Sequence, residues 1–139
     1  MKKLLLGLMF LSTTASAGWS SDPKGLYQQS QINKNAYLVV SQGANGRATP
    51  GVVVLHSPLC EENSYSNLVR IQIQATPVNA VVYCDYSRNM LVQPADITSS
   101  RQWMRELMEN DFTNVQSPEA DLHEIFDTRN ATNKRLGRS

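Results

Sequence analysis

Cys60 and Cys84 are the only thiols in 139 residues. Such a pair can be a disulfide, part of a metal site, or a redox or nucleophilic centre. Redox pairs of the thioredoxin kind are spaced C-x-x-C, and these two are not. A structural zinc site needs further ligands, yet His56 and His123 form no H-x-x-x-H or C-x-x-C arrangement with them. A cysteine nucleophile needs a nearby histidine and an orienting carboxylate or amide. A disulfide removes the thiolate that such chemistry requires. One structural disulfide is the expected state, closing a loop of about 25 residues and contributing roughly 3.5 kcal/mol in the chain-entropy view. It requires an oxidising compartment. No metal and no cofactor are expected.

Other reactive side chains are sparse. Glu61 and Glu62 stand beside Cys60. Paired carboxylates serve glycoside hydrolysis when held about 5–10 Å apart in a cleft. On a loop, such a pair reads more simply as a solvated acidic turn. Asp85 alternates with Tyr83 on what reads as a polar sheet face. His56 ends an apolar strand, where burial with a backbone partner is the common case. His123 sits beside Leu122, on a surface position. No G-x-S-x-G elbow and no glycine-rich phosphate loop occurs. Trp19, Tyr27, Tyr37, Tyr65, Tyr83 and Tyr86 gather in the strand-forming half. Tyr65 lies with Asn and Ser in the segment bounded by the cysteines, a composition suited to recognition. The candidate binding residues are therefore Tyr65, Glu61, Glu62, Tyr83 and Asp85.

The chain opens with Met1-Lys2-Lys3, an apolar run over 4–11, and Ala15-Ser16-Ala17. That order is a secretory signal of bacterial style, cut near Ala17/Gly18. The apolar run is far short of the ~20 residues a spanning helix needs. No later segment is apolar enough to span, so periplasm or the extracellular space is expected. Of 13 Lys and Arg against 12 acids, two lie in this leader, so the remainder carries one more acid than base. Near-zero charge excludes electrostatic capture of nucleic acid as the main role. A hydrophobic fraction of 41% excludes a wholly disordered chain.

The elements expected to position these residues are strands in front and helices behind. Asp22-Pro23 opens a weak helical turn with Leu26, Tyr27 and Ile32 as anchors. Residues 37–42 and 52–56 flank Asn45-Gly46, a hairpin signal. Residues 68–75 alternate, with Val69, Ile71, Ile73 and Ala75 on one face and Arg70, Gln72 and Gln74 on the other. Residues 76–79 turn, 80–86 form the next strand and 90–93 the last. Ser99 and Gln102 form a capping box before a helix with Trp103, Met104, Leu107, Met108 and Phe112 as its stripe. Ser117-Pro118-Glu119 starts a second helix whose face is Leu122, Ile125 and Phe126. The expected architecture is one α+β domain over 18–128: an antiparallel sheet of about five strands, hairpin plus meander, packed by one or two C-terminal helices. A basic tail over 129–139 has little to bury. A small stapled domain without a catalytic constellation points to an exported, non-enzymatic binding or accessory protein of the envelope, serving secretion, conjugation or surface assembly, or acting as an inhibitor through protein–protein contact. The competing classes are a small secreted hydrolase using carboxylates near Cys60, and a toxin-like or glycan-binding module.

Overall fold

The inward positions of the central strands carry Leu38 and the β-branched Val40, Val52, Val54, Val82 and Val92, a set that packs well on a pleated surface. In the computed structural model these residues line the inside of a strongly curved antiparallel sheet. The structure describes residues 19–22, 25–42, 48–60 and 66–129. The strands are β1 (Ser20–Asp22), β2 (Gly25–Gln29), β3 (Ala36–Gln42), β4 (Ala48–Val54), β5 (Ser66–Ile73), β6 (Thr76–Cys84), β7 (Met90–Pro94), β8 (Phe112–Ser117) and β9 (Leu122–Asp127), with one helix, α1 (Ile97–Glu109), between β7 and β8. Sheet order is β9-β8-β5-β6-β7-β4-β3-β2-β1. Eight strands have five or more residues, and β1 is a three-residue addition to the edge.

The expected hairpin is β3–β4, whose ladder runs from Ala36↔Val54 to Gln42↔Ala48. Its Asn-Gly connection lies outside the described residues. The expected meander is β5–β6–β7, and β4 joins it through Val52↔Val92. The sheet is larger than about five strands because β1, β2, β8 and β9 flank this centre.

Four local expectations fail for identifiable reasons. Residues 25–29 are strand, not helix: Gly25 has φ +154° and pairs with Ser41, and Leu26 and Tyr27 pair with Val40 and Val39. The turn expected at 76–79 is instead Gln74-Ala75, with Gln74 at φ 60°; Gln74 donates its N–H to Asn114 O (2.7 Å) and its Oε1 accepts from Asn114 N (2.6 Å). Pro77 sits within β6 without penalty, since β7 pairs with β6 only from Ala80 onward. The helix begins earlier than the Ser99 box. Asp96 is the N-cap, accepting from Ser99 N at 2.7 Å, while buried Ser99 turns its hydroxyl to accept from Asn79 N. The second helix is absent. Residues 117–122 make a turn in which Asp121, at φ 51°, donates to Pro118 O, and 122–127 form β9. Inward there are Leu122, Glu124 and Phe126, a period of two that the polar Glu124 disguised.

Trp103, Met104 and Leu107 are the buried stripe of α1, packed over β4, β6, β7 and β8. Phe112 lies on β8 and is 43% exposed. The sheet then nearly closes into a barrel. Beyond β1, the second half of β2 and the following loop meet β9: Gln28 Nε2 donates to Asp127 O (2.7 Å), Ser30 Oγ to Glu124 Oε1 (2.6 Å) and Gln31 N to Ile125 O (2.8 Å). Trp19 Nε1 reaches Arg129 O at 3.2 Å. No helix among the described residues is long and apolar enough to cross a membrane.

Candidate functional site

Cys60 and Cys84 are disulfide-bonded, with their Cα atoms 5.6 Å apart. The bond ties the short helical turn Pro58–Cys60 to the end of β6. It is the disulfide of an oxidising compartment. Two turns dock beside it. In the first, Ser57 O accepts from Cys60 N, and Ser57 N donates to Arg88 O (3.1 Å) in the second. His56 N donates to Asn89 Oδ1 at 3.2 Å. His56 is exposed at φ 53°, not buried as its place at an apolar strand's end suggested, because the chain reverses there.

Asp85 organises the second turn. Its Oδ1 accepts from Ser87 N (2.8 Å) and Asn89 N (2.9 Å), and its Oδ2 from Asn89 Nδ2 (3.2 Å). The Asn89 backbone N–H chiefly holds the Asp85 carboxyl below the usual range. Tyr86 rides on this turn at 108% exposure, with no packing of its own. An aromatic ring with two rotatable bonds on a covalently anchored turn is held out to solvent with little freedom to lose. Glu61, Glu62 and Tyr65 lie outside the described residues.

From this end, the outer face of the sheet carries two registered rows. Tyr37↔Val53, Val53↔Leu91 and Leu91↔Tyr83 form the first across β3, β4, β7 and β6. Tyr27↔Val39, Val39↔Gly51 and, on the far side of Gln93, Val81↔Leu68 form the second. Tyr27 and Tyr37 meet edge-to-face, their centroids 6.3 Å apart. The side chains of Tyr27, Tyr37, Val53, Leu91, Val81 and Tyr83 are half-buried, lying against one another under no covering element of the described fold. Leu68, at the margin, is 64% exposed. Tyr83 is thus a member of an apolar row, whereas the alternation had placed it with Asp85 on a polar face.

Between β5 and β8 the sheet splays. Only Gln72↔Gln116 and Ile73↔Val115 pair before the 117–122 corner carries β8 away. A groove of about 630 Å³ opens there, lined by Arg70, Gln72, Gln116, Pro118, Asp121 and His123. A smaller cleft of about 250 Å³ lies on the other side of Arg70, toward the start of α1. His123 is exposed, as expected, although on a strand. Among the described residues no three His, Cys, Asp or Glu side chains converge as a metal site would require.

Sequence reasoning missed Leu68, Leu91 and the groove. The outward alternation of Arg70 and Gln72 was visible, but the splay that exposes β5 depends on a strand read as helix. No family model matches this sequence, and neither a curated protein nor a solved structure is significantly similar to it.

Proposed function

We propose that this is an exported, non-enzymatic binding or accessory protein that acts by contact with another protein in the envelope or outside the cell. The outward apolar rows running from Tyr86 to Leu68 carry the reading. Two registered ladders of aromatic and aliphatic side chains on the outside of a sheet, ended by a fully exposed tyrosine on an anchored turn, have the composition of an interface centre. The disulfide at one end fixes the turn in advance, which lowers the ordering cost of association. The leader segment and the disulfide together support a periplasmic or secreted location.

The test is cross-linked capture from the native envelope with the full chain expressed from its own leader. A single stoichiometric protein partner is expected. Tyr86→Ala removes no folded contact, so it should leave the melting temperature unchanged while weakening capture by roughly tenfold or more, the loss typical of an aromatic contact at the centre of an interface. Capture of no partner, or capture indifferent to both Tyr86→Ala and Leu91→Lys, refutes the reading. In that case the carboxylates Glu61 and Glu62 become the first residues to test for hydrolysis.

A further inference from the structure

We propose that the edge of β5 that no strand of the described residues covers takes up an extended segment of the partner as an added strand, and that Leu68 and Arg70 select a segment with an apolar and an acidic residue two positions apart. This rests on the binding role proposed above and supplies its mode and the partner's chemistry. Eight residues of β5 pair with β6, whereas β8 covers only Gln72 and Ile73. Ile73 faces Thr76 across the two-residue turn, so its backbone groups and those of Ile71, Val69 and Asn67 point toward β6. The backbone groups of Gln72, Arg70, Leu68 and Ser66 point the other way. Gln72 meets β8. Arg70 meets side chains: its N–H donates to Glu119 Oε1 (3.1 Å), and its carbonyl accepts from Ser117 Oγ (3.0 Å). The Leu68 N–H turns to the neighbouring Asn67 Oδ1 at 2.9 Å. A carboxylate, a hydroxyl and a side-chain amide thus stand where a strand would bring its own carbonyls and amides.

A row of alternating N–H and C=O groups at strand spacing is matched by another polypeptide backbone, and by neither a glycan nor a nucleic acid. The groove beside it has room for one extended segment. Side chains then set selectivity. Leu68 and Arg70 share the outer face two residues apart, about 6.6 Å along the strand. Residues of an added strand at the same spacing fall beside them. Leu68 continues the apolar row through Val81. Among the described residues no carboxylate lies within 4 Å of the Arg70 guanidinium; the only ion pair there is Arg129–Asp127. Asp121 on the far wall of the groove disfavours further acids. An apolar residue beside Leu68 and a single acid beside Arg70 is the matching pattern.

The probe is acetyl-TTVTETT-amide, titrated into the isotope-labelled exported protein and followed by amide chemical shifts. Saturable shifts at Ser66, Leu68, Arg70 and Glu119 below about 5 mM are expected. Replacing the glutamate by lysine should weaken binding about fivefold, and Arg70→Glu should reverse that preference. N-methylation of every second residue should abolish binding in one of its two phases. Leu68→Pro removes the edge N–H with its exposed bond to Asn67 Oδ1, and the mostly exposed Leu68 side chain, and should abolish binding with melting lowered by no more than a few degrees; Leu68→Ala, which keeps the N–H, should only weaken it. Absence of saturable shifts, shifts elsewhere, or indifference to both N-methylated peptides overturns strand addition. Envelope capture that survives Leu68→Pro while peptide binding fails overturns strand addition alone and leaves the binding role intact.

Discussion

Replacing both cysteines, Cys60→Ala with Cys84→Ala, isolates the contribution of the staple. The two residues are 24 apart in sequence. The enclosed segment contains all of β5 and β6, already paired with each other over eight registers in the folded state. The folded sheet therefore gains little order from the bond, and its effect falls on the unfolded chain. A closed loop of about 25 residues loses roughly 3.5 kcal/mol of unfolded-state entropy at 25 °C. A domain of this size shifts about 4 °C per kcal/mol, so the melting temperature should fall by about 14 °C. Scanning calorimetry on the exported protein, with and without reductant, reads this directly. Reduced wild type and the double variant should melt together, because loss of the cross-link is common to both. A fall of less than about 4 °C would refute the loop-closure reasoning. So would a reduced wild type that melts near the oxidised one.

Gly25 stands at φ +154°, and a Cβ there would overlap the Val40 carbonyl oxygen and lie 2.9 Å from Ser41 Cα. Gly25→Ala should cost at least about 2 kcal/mol in urea unfolding, against less for Gly51→Ala, whose nearest contact is Val92 O at 3.1 Å; equal losses would contradict the steric account. Trp103 Nε1 is buried without a hydrogen-bond partner, so Trp103→Phe, which deletes the orphan donor along with some volume, should change stability by less than about 1 kcal/mol, while Trp103→Ala loses about 3–5 kcal/mol. Ser30→Ala strips the 2.6 Å donor from buried Glu124 and should cost about 2 kcal/mol, with faster hydrogen exchange at Gln31, whose N–H bonds Ile125 O; unchanged Gln31 protection would mean the seam does not depend on that pair. Arg129 holds the Asp127 carboxyl below its usual range, through a side-chain hydrogen bond first. A depressed carboxylate stabilises above its unfolded pKa of about 3.9 and loses that contribution as pH falls through the lower folded value. Asp127→Asn should therefore lower stability near neutrality and flatten the part of the acid loss below about pH 4, where the wild type has lost the same contribution; Arg129 is half-exposed, which keeps the effect under about 1 kcal/mol.

The centre of the sheet was legible because its residues obey one period at a time. Val69, Ile71 and Ile73 alternate with Arg70 and Gln72, and the run over 52–56, apolar on both faces, read as a central strand; its place in the sheet is central, while its outward Val53 stays half-exposed. The flanks were not, for physical reasons. In β9 the inward slot between Leu122 and Phe126 holds Glu124, made tolerable by a hydroxyl ninety-four positions away. With that slot polar, Leu122, Ile125 and Phe126 remain at helical spacing. In β2 the decisive residue is a glycine whose close approach to Val40 exists only once β3 is in place. The 74–75 turn has neither Gly nor Asn, and its positive φ is upheld by Asn114 from another hairpin. Of the expected site, Tyr83 and Asp85 were visible as neighbours on a strand end. Asp85 serves the turn that carries Tyr86, a role that depends on backbone N–H groups and leaves no periodic trace.

The distribution of polar groups bears on what the surface is for. Catalytic carboxylates and hydroxyls must be held in place yet face a substrate. In the described fold the ordered ones face other parts of the chain. Glu124 meets Ser30, Thr113 meets Thr128, Asp96 caps α1, Glu106 accepts from Thr76, and Glu119 and Ser117 serve the Arg70 backbone. These bonds close the barrel, cap the helix, tie it to the sheet, or join strand ends and edges. Among the described residues, what remains for another molecule is the apolar outer rows, the Tyr86 ring, and the β5 edge with the groove beside it. Apolar rows gain free energy by losing water, and an edge gains it by acquiring a strand. An apolar ladder on the convex side of a curved sheet gives a small molecule little enclosure, whereas a protein partner can cover it and extend along the edge at once. That geometry favours a macromolecular occupant, and the side-chain bonds at Arg70 are those such an occupant would have to displace.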